Sequence, residues 1–161
     1  MARLRVRSRA AGVVGSVILL GTITACGLQI PSDPDGTLSD VAGGTLRVGV
    51  STEPGVITAS GDTFDGPAAD LVDGLADELG AEVEWHPLGE ESIVRMLEDD
   101  ALDLGVGGFT DATPWIDRAG VSRAFDHLPD LEGRRFVVLV QLGENAFLSR
   151  VEAFLDAESG S

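Results

Sequence analysis

The sequence predicts an α/β fold, a single three-layer unit in which a mostly parallel sheet is flanked by helices. Three observations point there. Segments with the two-residue alternation of strands take turns with segments whose apolar residues recur at helical spacing, the order that builds parallel sheets. One late run, residues 136–142 (FVVLVQL), is almost wholly apolar, as a strand covered on both faces would be. The patterned part, residues 45–157, has the length of one domain with one core.

The first 25 residues carry no such pattern. Arg3, Arg5, Arg7 and Arg9 form a positive start, and residues 11–25 follow without a charge. That stretch suits the apolar region of a secretory signal and is short for a membrane span, which needs about 20 residues. It ends in Ile23-Thr24-Ala25-Cys26, which resembles the bacterial lipobox, where cleavage leaves a lipidated cysteine as the first residue. Cys26 is the only cysteine, so no disulfide within the chain competes for it. The resemblance implies an exported lipoprotein: a signal peptide over residues 1–25, and a chain tethered through Cys26 to the outer side of the cell membrane.

Residues 27–44 (GLQIPSDPDGTLSDVAGG) are rich in Gly, Pro, Ser and Asp and read as a linker, so that residues 26–44 form a lipidated tether. As a flexible coil it would reach about 23 Å. The elements then follow in order. Thr45–Val50 alternates, with Leu46, Val48 and Val50 on one face of a strand. Residues 51–66 read as a long polar loop. Asp65 or Gly66 can cap a helix opened by Pro67, with Leu71, Leu75 and Leu79 along its stripe and Gly80 as its stop. Residues 82–88 alternate again, with Val83 and Trp85 inward. Residues 90–99 place Ile93, Met96 and Leu97 at helical spacing. Residues 102–109 (LDLGVGGF) predict a strand and residues 114–119 a short helix. After the apolar run, a final helix from Glu144 gathers Phe147, Val151, Phe154 and Leu155 on one face, leaving a tail at 158–161.

Charge narrows the partners. Four of the 11 arginines precede Cys26, all 27 acidic residues follow it, and there is no lysine, so the chain from Cys26 onward carries seven positive charges against 27 negative. No nucleic acid is expected, because phosphate recognition needs clustered Arg and Lys. An anionic lipid surface is repelled within about 10 Å, which leaves lipid chains to supply the attachment. Catalysis finds little support. His86 and His127 stand in no metal-ligand or nucleophile spacing, and Gly105-Val106-Gly107-Gly108 lacks the lysine of a phosphate loop. Glu98, Asp99, Asp100 and Asp103 lack the alternation of a calcium loop. No enzyme activity, cofactor or metal is expected.

The order TLRVGV, loop, GPAADLVDGLADELGAEVEW, SIVRMLEDDALDLGVGGFT, with QLGENAFLSRVEAFL at the end, resembles the first lobe of type II solute-binding proteins. More narrowly, it is similar to the polar-amino-acid-binding family of ABC importers. The resemblance implies half of a type II periplasmic-binding-protein-like fold. Only ten residues, 126–135, separate the segment Val121-Ser122-Arg123-Ala124-Phe125 from the returning apolar run, where the family has a whole second lobe. Such binders enclose ligand between two lobes, so a single lobe is expected to bind weakly unless another chain supplies the second wall.

By that resemblance the ligand-binding positions are Ser51, Thr52 and Glu53 after the first strand and Gly108, Phe109 and Thr110 at a later strand end. The arginine that would grip a ligand carboxylate has Trp115 at its expected place in Thr113-Pro114-Trp115-Ile116-Asp117-Arg118. Arg118 can substitute if the loop is wound differently. Two functions follow. One is a substrate-binding lipoprotein that passes an amino acid or similar small polar solute to an ABC permease. The other is an interaction module for a membrane or envelope partner, with Trp115 on a former cleft face. A homodimer pairing two cleft faces is a further partner arrangement.

Overall fold

The computed structural model describes residues 32–160. The signal-like stretch and Cys26 lie outside the described residues. In chain order the elements are helix α1 (Thr37–Val41), strand β1 (Thr45–Val50), the hairpin β2 (Thr58–Ser60) and β3 (Thr63–Asp65), α2 (Pro67–Leu79), β4 (Glu82–Pro87) and α3 (Glu90–Glu98). Then come the short strands β5 (Leu104–Val106), β6 (Gly120–Val121) and β7 (Leu139–Val140), and α4 (Asn145–Glu158).

The five-stranded sheet has the order β4-β1-β5-β7-β6. β1 is parallel to both neighbours, pairing Thr45 with Glu82, Val50 with Pro87 and Val48 with Leu104. β7 is antiparallel and inserts between β5 and β6, although it follows both in sequence. A mostly parallel sheet with helices on both faces is therefore present.

Alternation sorts β1 between the two faces. Leu46, Val48 and Val50 join the large core beneath α1, α2 and α4, which also holds Val72, Leu75, Phe147, Val151 and Phe154. The opposite face carries α3, whose Ile93, Val94 and Leu97 pack on Leu102, Val137 and Leu139. Glycine decides how near α3 comes. A Cβ on Gly49 would lie 2.7 Å from Leu102 Cδ1, and one on Gly105 would lie 2.7 Å from Ile93 Cγ2. At the start of the strands, buried Asp103 accepts from the Arg47 amide at 2.8 Å and from its guanidinium at 2.6 and 3.1 Å. That paired carboxylate ties β1 to the residue before β5, so their far ends finish side by side.

Several expectations change. Residues 32–44, read as part of a linker, are packed against the domain. Val41 is buried, and Glu144, itself only 1% exposed, accepts from the backbone N–H groups of Asp35 and Thr37, each at 3.1 Å. Asp33 accepts from the Leu38 N–H at 3.1 Å. A five-residue helix has too few apolar residues to show periodicity, and its caps come from side chains remote in sequence.

The long polar loop contains the hairpin β2–β3, whose Phe64 stacks on Trp85 with ring centroids 5.0 Å apart. The cap of α2 is Gly66 at φ 120°, where a Cβ would meet the Val56 carbonyl oxygen at 2.8 Å; Asp65 ends β3. Only Leu104–Val106 of residues 102–109 forms a strand, and only Leu139–Val140 of the apolar run pairs as one. The run is still covered on both faces, since Val138 and Val140 enter the large core and Val137 and Leu139 the smaller. At residues 114–119 there is one turn, with the Arg118 and Ala119 N–H groups both donating to the Trp115 carbonyl.

Residues 126–135 are folded in. Leu128 and Leu131 are buried in the large core, the Gly133 N–H donates to the Asp126 carbonyl at 3.1 Å, and Phe125 bridges to Phe136. The short connection closes the lobe with apolar side chains of its own.

Candidate functional site at the carboxyl ends of the strands

In open parallel sheets ligands bind in the crevice beyond the carboxyl ends of the strands. Here β1 and β5 end side by side, and the Ser51 N–H donates to the Val106 carbonyl at 3.0 Å. Gly107 must be glycine, and Gly108 leaves little room. A Cβ on Gly107 would lie 2.4 Å from the Ser51 carbonyl oxygen, and one on Gly108 would lie 3.1 Å from Glu53 Cγ. Glu53 is fixed in turn by paired backbone hydrogen bonds with Ile57, at 2.9 and 3.0 Å, which close the turn through Pro54 and Gly55.

An open cleft of about 320 Å³ lies over these glycines. Its lining includes Gly107, Gly108, Thr110, Asp111, Arg134 and Arg135. Arg134 donates to the Pro54 carbonyl at 3.3 Å and stands 3.8 Å from Glu53 Oε1. Arg135 donates to Asp111 Oδ2 at 2.6 Å. Both arginines are exposed, with 44% and 58% of their side-chain surface in solvent. The cleft thus presents two guanidinium groups and the Asp111 carboxylate, with Glu53 at its edge beside Arg134.

The sequence-derived positions divide into two groups. Ser51, Glu53, Gly108 and Thr110 come together at the strand ends. Thr52 and Glu53 line an adjoining shallow groove with Pro54 and Thr58. Phe109 borders the cleft, but its side chain is 3% exposed and belongs to the smaller core, so it supplies a wall and not a stacking platform. Trp115 and Arg118 do not reach the cleft. Trp115 is half-buried against α3 and donates through Nε1 to Glu90 at 3.3 Å. Arg118 donates through Nε to Glu98 at 2.8 Å and lies 5.6 Å from the Trp115 ring centre. Its hydrogen bond holds the Glu98 carboxyl below the usual carboxylate range.

Sequence reasoning missed Arg134 and Arg135. The available signal was their adjacency, the one Arg-Arg pair in a chain without lysine, placed just before the apolar run. Neither histidine lines this cleft: His86 lies on β4, and exposed His127 stands beside Asp126. Among the described residues no group of His, Cys, Asp or Glu has the arrangement of a metal site.

No family model matches the chain, and no curated protein matches its sequence. Solved structures do. The arginine-bound form of domain 1 of TmArgBP superposes with a TM-score of 0.63 at 20% identity, covering 74% of this chain and 97% of that one. A point mutant of the same domain gives 0.65 at 19% identity, covering 78% and 99%. The Salmonella typhimurium periplasmic binding protein described as having high arginine specificity gives 0.56 at 14%, covering 73% and 94%. An ancestral amino acid-binding protein, a precursor of cyclohexadienyl dehydratase, gives 0.61 at 16%, covering 78% and 94%. At these identities the likeness establishes the fold alone, that of the TmArgBP domain.

Proposed function

We propose that this chain is a single-lobed solute-binding lipoprotein whose cleft takes an amino acid or a similar small solute bearing a carboxylate. The observation that carries the reading is the Arg134–Arg135 pair poised over the Gly107-Gly108 strand end, with Glu53 and Asp111 beside it. A guanidinium forks onto a carboxylate with two charge-assisted hydrogen bonds. Glu53 and Asp111 offer acceptors to an ammonium group. An amino acid carries both charges at the separation of one carbon.

Support comes also from domain 1 of TmArgBP, an isolated domain of this fold with arginine bound. A second lobe is then no precondition for holding an amino acid, which relaxes the expectation that one wall binds only weakly. Binding, and not turnover, is the proposed activity. Cys26 is proposed as the lipid anchor, on the lipobox-like Ile23-Thr24-Ala25-Cys26, and an ABC permease as the recipient of the solute.

The test is thermal melting of the purified Cys26→Ser protein against the common amino acids and their carboxyl-blocked amides. A ligand at 100 times its dissociation constant should add about 2.7 kcal/mol, and its amide should add far less. A flat response to every free amino acid would sink the reading.

A further inference from the structure

Resting on the reading of the cleft as a carboxylate-binding site, we propose that the connection 126–135 is the cleft's second wall, a strap that tightens on the solute. Small-molecule sites bury most of the ligand surface, which one wall alone does not do. The lining of this cleft comes from two sources. The strand ends supply Gly107, Gly108 and Thr110, and the connection supplies Gly133, Arg134 and Arg135. Consecutive side chains of the strap reach two different loops. Arg134 goes to the turn after β1, where it donates to the Pro54 carbonyl at 3.3 Å and stands 3.8 Å from Glu53 Oε1. Arg135 goes to the loop after β5, donating to Asp111 Oδ2 at 2.6 Å. The strap therefore straddles the ends of the two central strands, tied once to each.

Its base is fixed and its tip is free. Leu128 and Leu131 are buried in the large core. Two successive turns follow the chain between them and the cleft, with the Leu131 N–H donating to the Leu128 carbonyl at 3.1 Å and the Arg134 N–H to the Leu131 carbonyl at 3.0 Å. The Gly133 N–H closes the strap on the Asp126 carbonyl at 3.1 Å. Residues 132–135, by contrast, are all exposed, and nothing lies within 4 Å of the place a Gly133 Cβ would take. The two ties differ in strength. Arg135 already holds a carboxylate, whereas Arg134 holds a neutral carbonyl at the longer distance. A solute carboxylate offers Arg134 charge-assisted bonds, roughly twice as strong as a neutral one. Arg134 then exchanges Pro54 for the solute, and the solute becomes the link between strap and strand ends. The cover comes from this chain's own residues, with no second chain needed to hold the solute in place.

The experiment is residue-resolved amide hydrogen exchange on the purified Cys26→Ser protein, alone and with each common amino acid or its carboxyl-blocked amide. At least one free amino acid should slow exchange at the Gly133 and Arg134 amides several-fold, and its blocked amide should not. Protection at Gly107, Gly108 or Thr110 with Gly133 and Arg134 unchanged would overturn the strap while leaving the cleft reading standing. No change at any amide with any amino acid overturns the cleft reading and the strap with it. A second variant carries a short run of glycines inserted between Glu132 and Gly133, which keeps both arginines but slackens the strap. Dissociation of the amino acid, followed by displacement, should become several-fold faster in it. An unchanged rate in a folded insertion variant overturns the strap, since a one-sided site needs only the two arginines to be present. Should the insertion prevent folding, exchange in the chain without it decides alone.

Discussion

Arg134 and Arg135 differ in what holds them. Arg135 is occupied by Asp111 at 2.6 Å, whereas Arg134 has a carbonyl at 3.3 Å and a carboxylate at 3.8 Å, so Arg134 is the freer to turn toward a ligand. Hydrogen bonds to charged groups contribute about 1.5–3 kcal/mol. Arg134→Ala should accordingly weaken amino-acid binding about 10- to 100-fold, measured by calorimetric titration, while Arg118→Ala, engaged with Glu98 outside the cleft, should leave it within twofold. A second residue-scale expectation concerns α3. Gly105→Ala puts a methyl group 2.7 Å from Ile93 Cγ2, and overpacking of that kind costs about 1–3 kcal/mol in a denaturant melt. An unchanged midpoint would mean that α3 shifts freely. Ser51, Gly108 and Thr110 were named in advance through the resemblance to solute-binding lobes, and all three stand at the strand ends, Gly108 and Thr110 lining the cleft. Arg134 and Arg135 were not, because their place depends on how residues 126–135 fold back, and that is fixed by burial of Leu128 and Leu131 far from any periodic segment.

Element by element, the long periodic segments were the most legible. α4 buries the stripe that its spacing indicates, whereas α2 buries Leu75 with Val72 and Ala76 and leaves Leu71 and Leu79 half-buried, and Gly80 ends α2 at φ 67°. Short elements were not, since α1 is held by Glu144 from far along the chain and the three-residue strands β2 and β3 are too short to show a period. The docking of α1 rests on two carboxylates. Burial pushes the Glu144 carboxyl up, but hydrogen bonds from Asp33 and from the Asp35 and Thr37 amides outweigh it and leave it below the ordinary carboxylate range. Asp33 is pushed the other way, first by burial and then by Glu144. The Glu144 contribution is present above the unfolded carboxylate value and is lost as pH falls through its depressed folded value. The Asp33 contribution is present at low pH and is lost as pH rises through its raised folded value. Exchange protection of the Asp35 and Thr37 amides should therefore be greatest between those two limits, and Asp33→Asn should remove the decline on the high-pH side. Protection independent of pH in the native protein would contradict this. The closing loop is equally testable. Leu128→Ala should cost about 2–5 kcal/mol, as for a core leucine, whereas a loose stump would tolerate it.

For the molecule as a whole, the alternation of strand and helix patterns made the α/β class and the parallel strands β1, β4 and β5 readable in advance. The insertion of β7 between β5 and β6 came only with the structure, because two-residue strands carry no period. The packing of residues 32–44 makes them part of the folded unit, with Ser32 held at the start of α4, at the pole away from the cleft. The same sheet places Arg134 and Arg135 above the carboxyl ends of its central strands, and the central claim is that this cleft holds a carboxylate-bearing solute. Its most direct test is calorimetric titration of amino acids into the purified protein and into the Arg134→Ala/Arg135→Ala double variant. One saturable site per chain is expected for at least one amino acid, abolished in the double variant while its melting midpoint without ligand is retained. No saturable heat with any amino acid, or the same affinity in the double variant, would contradict it.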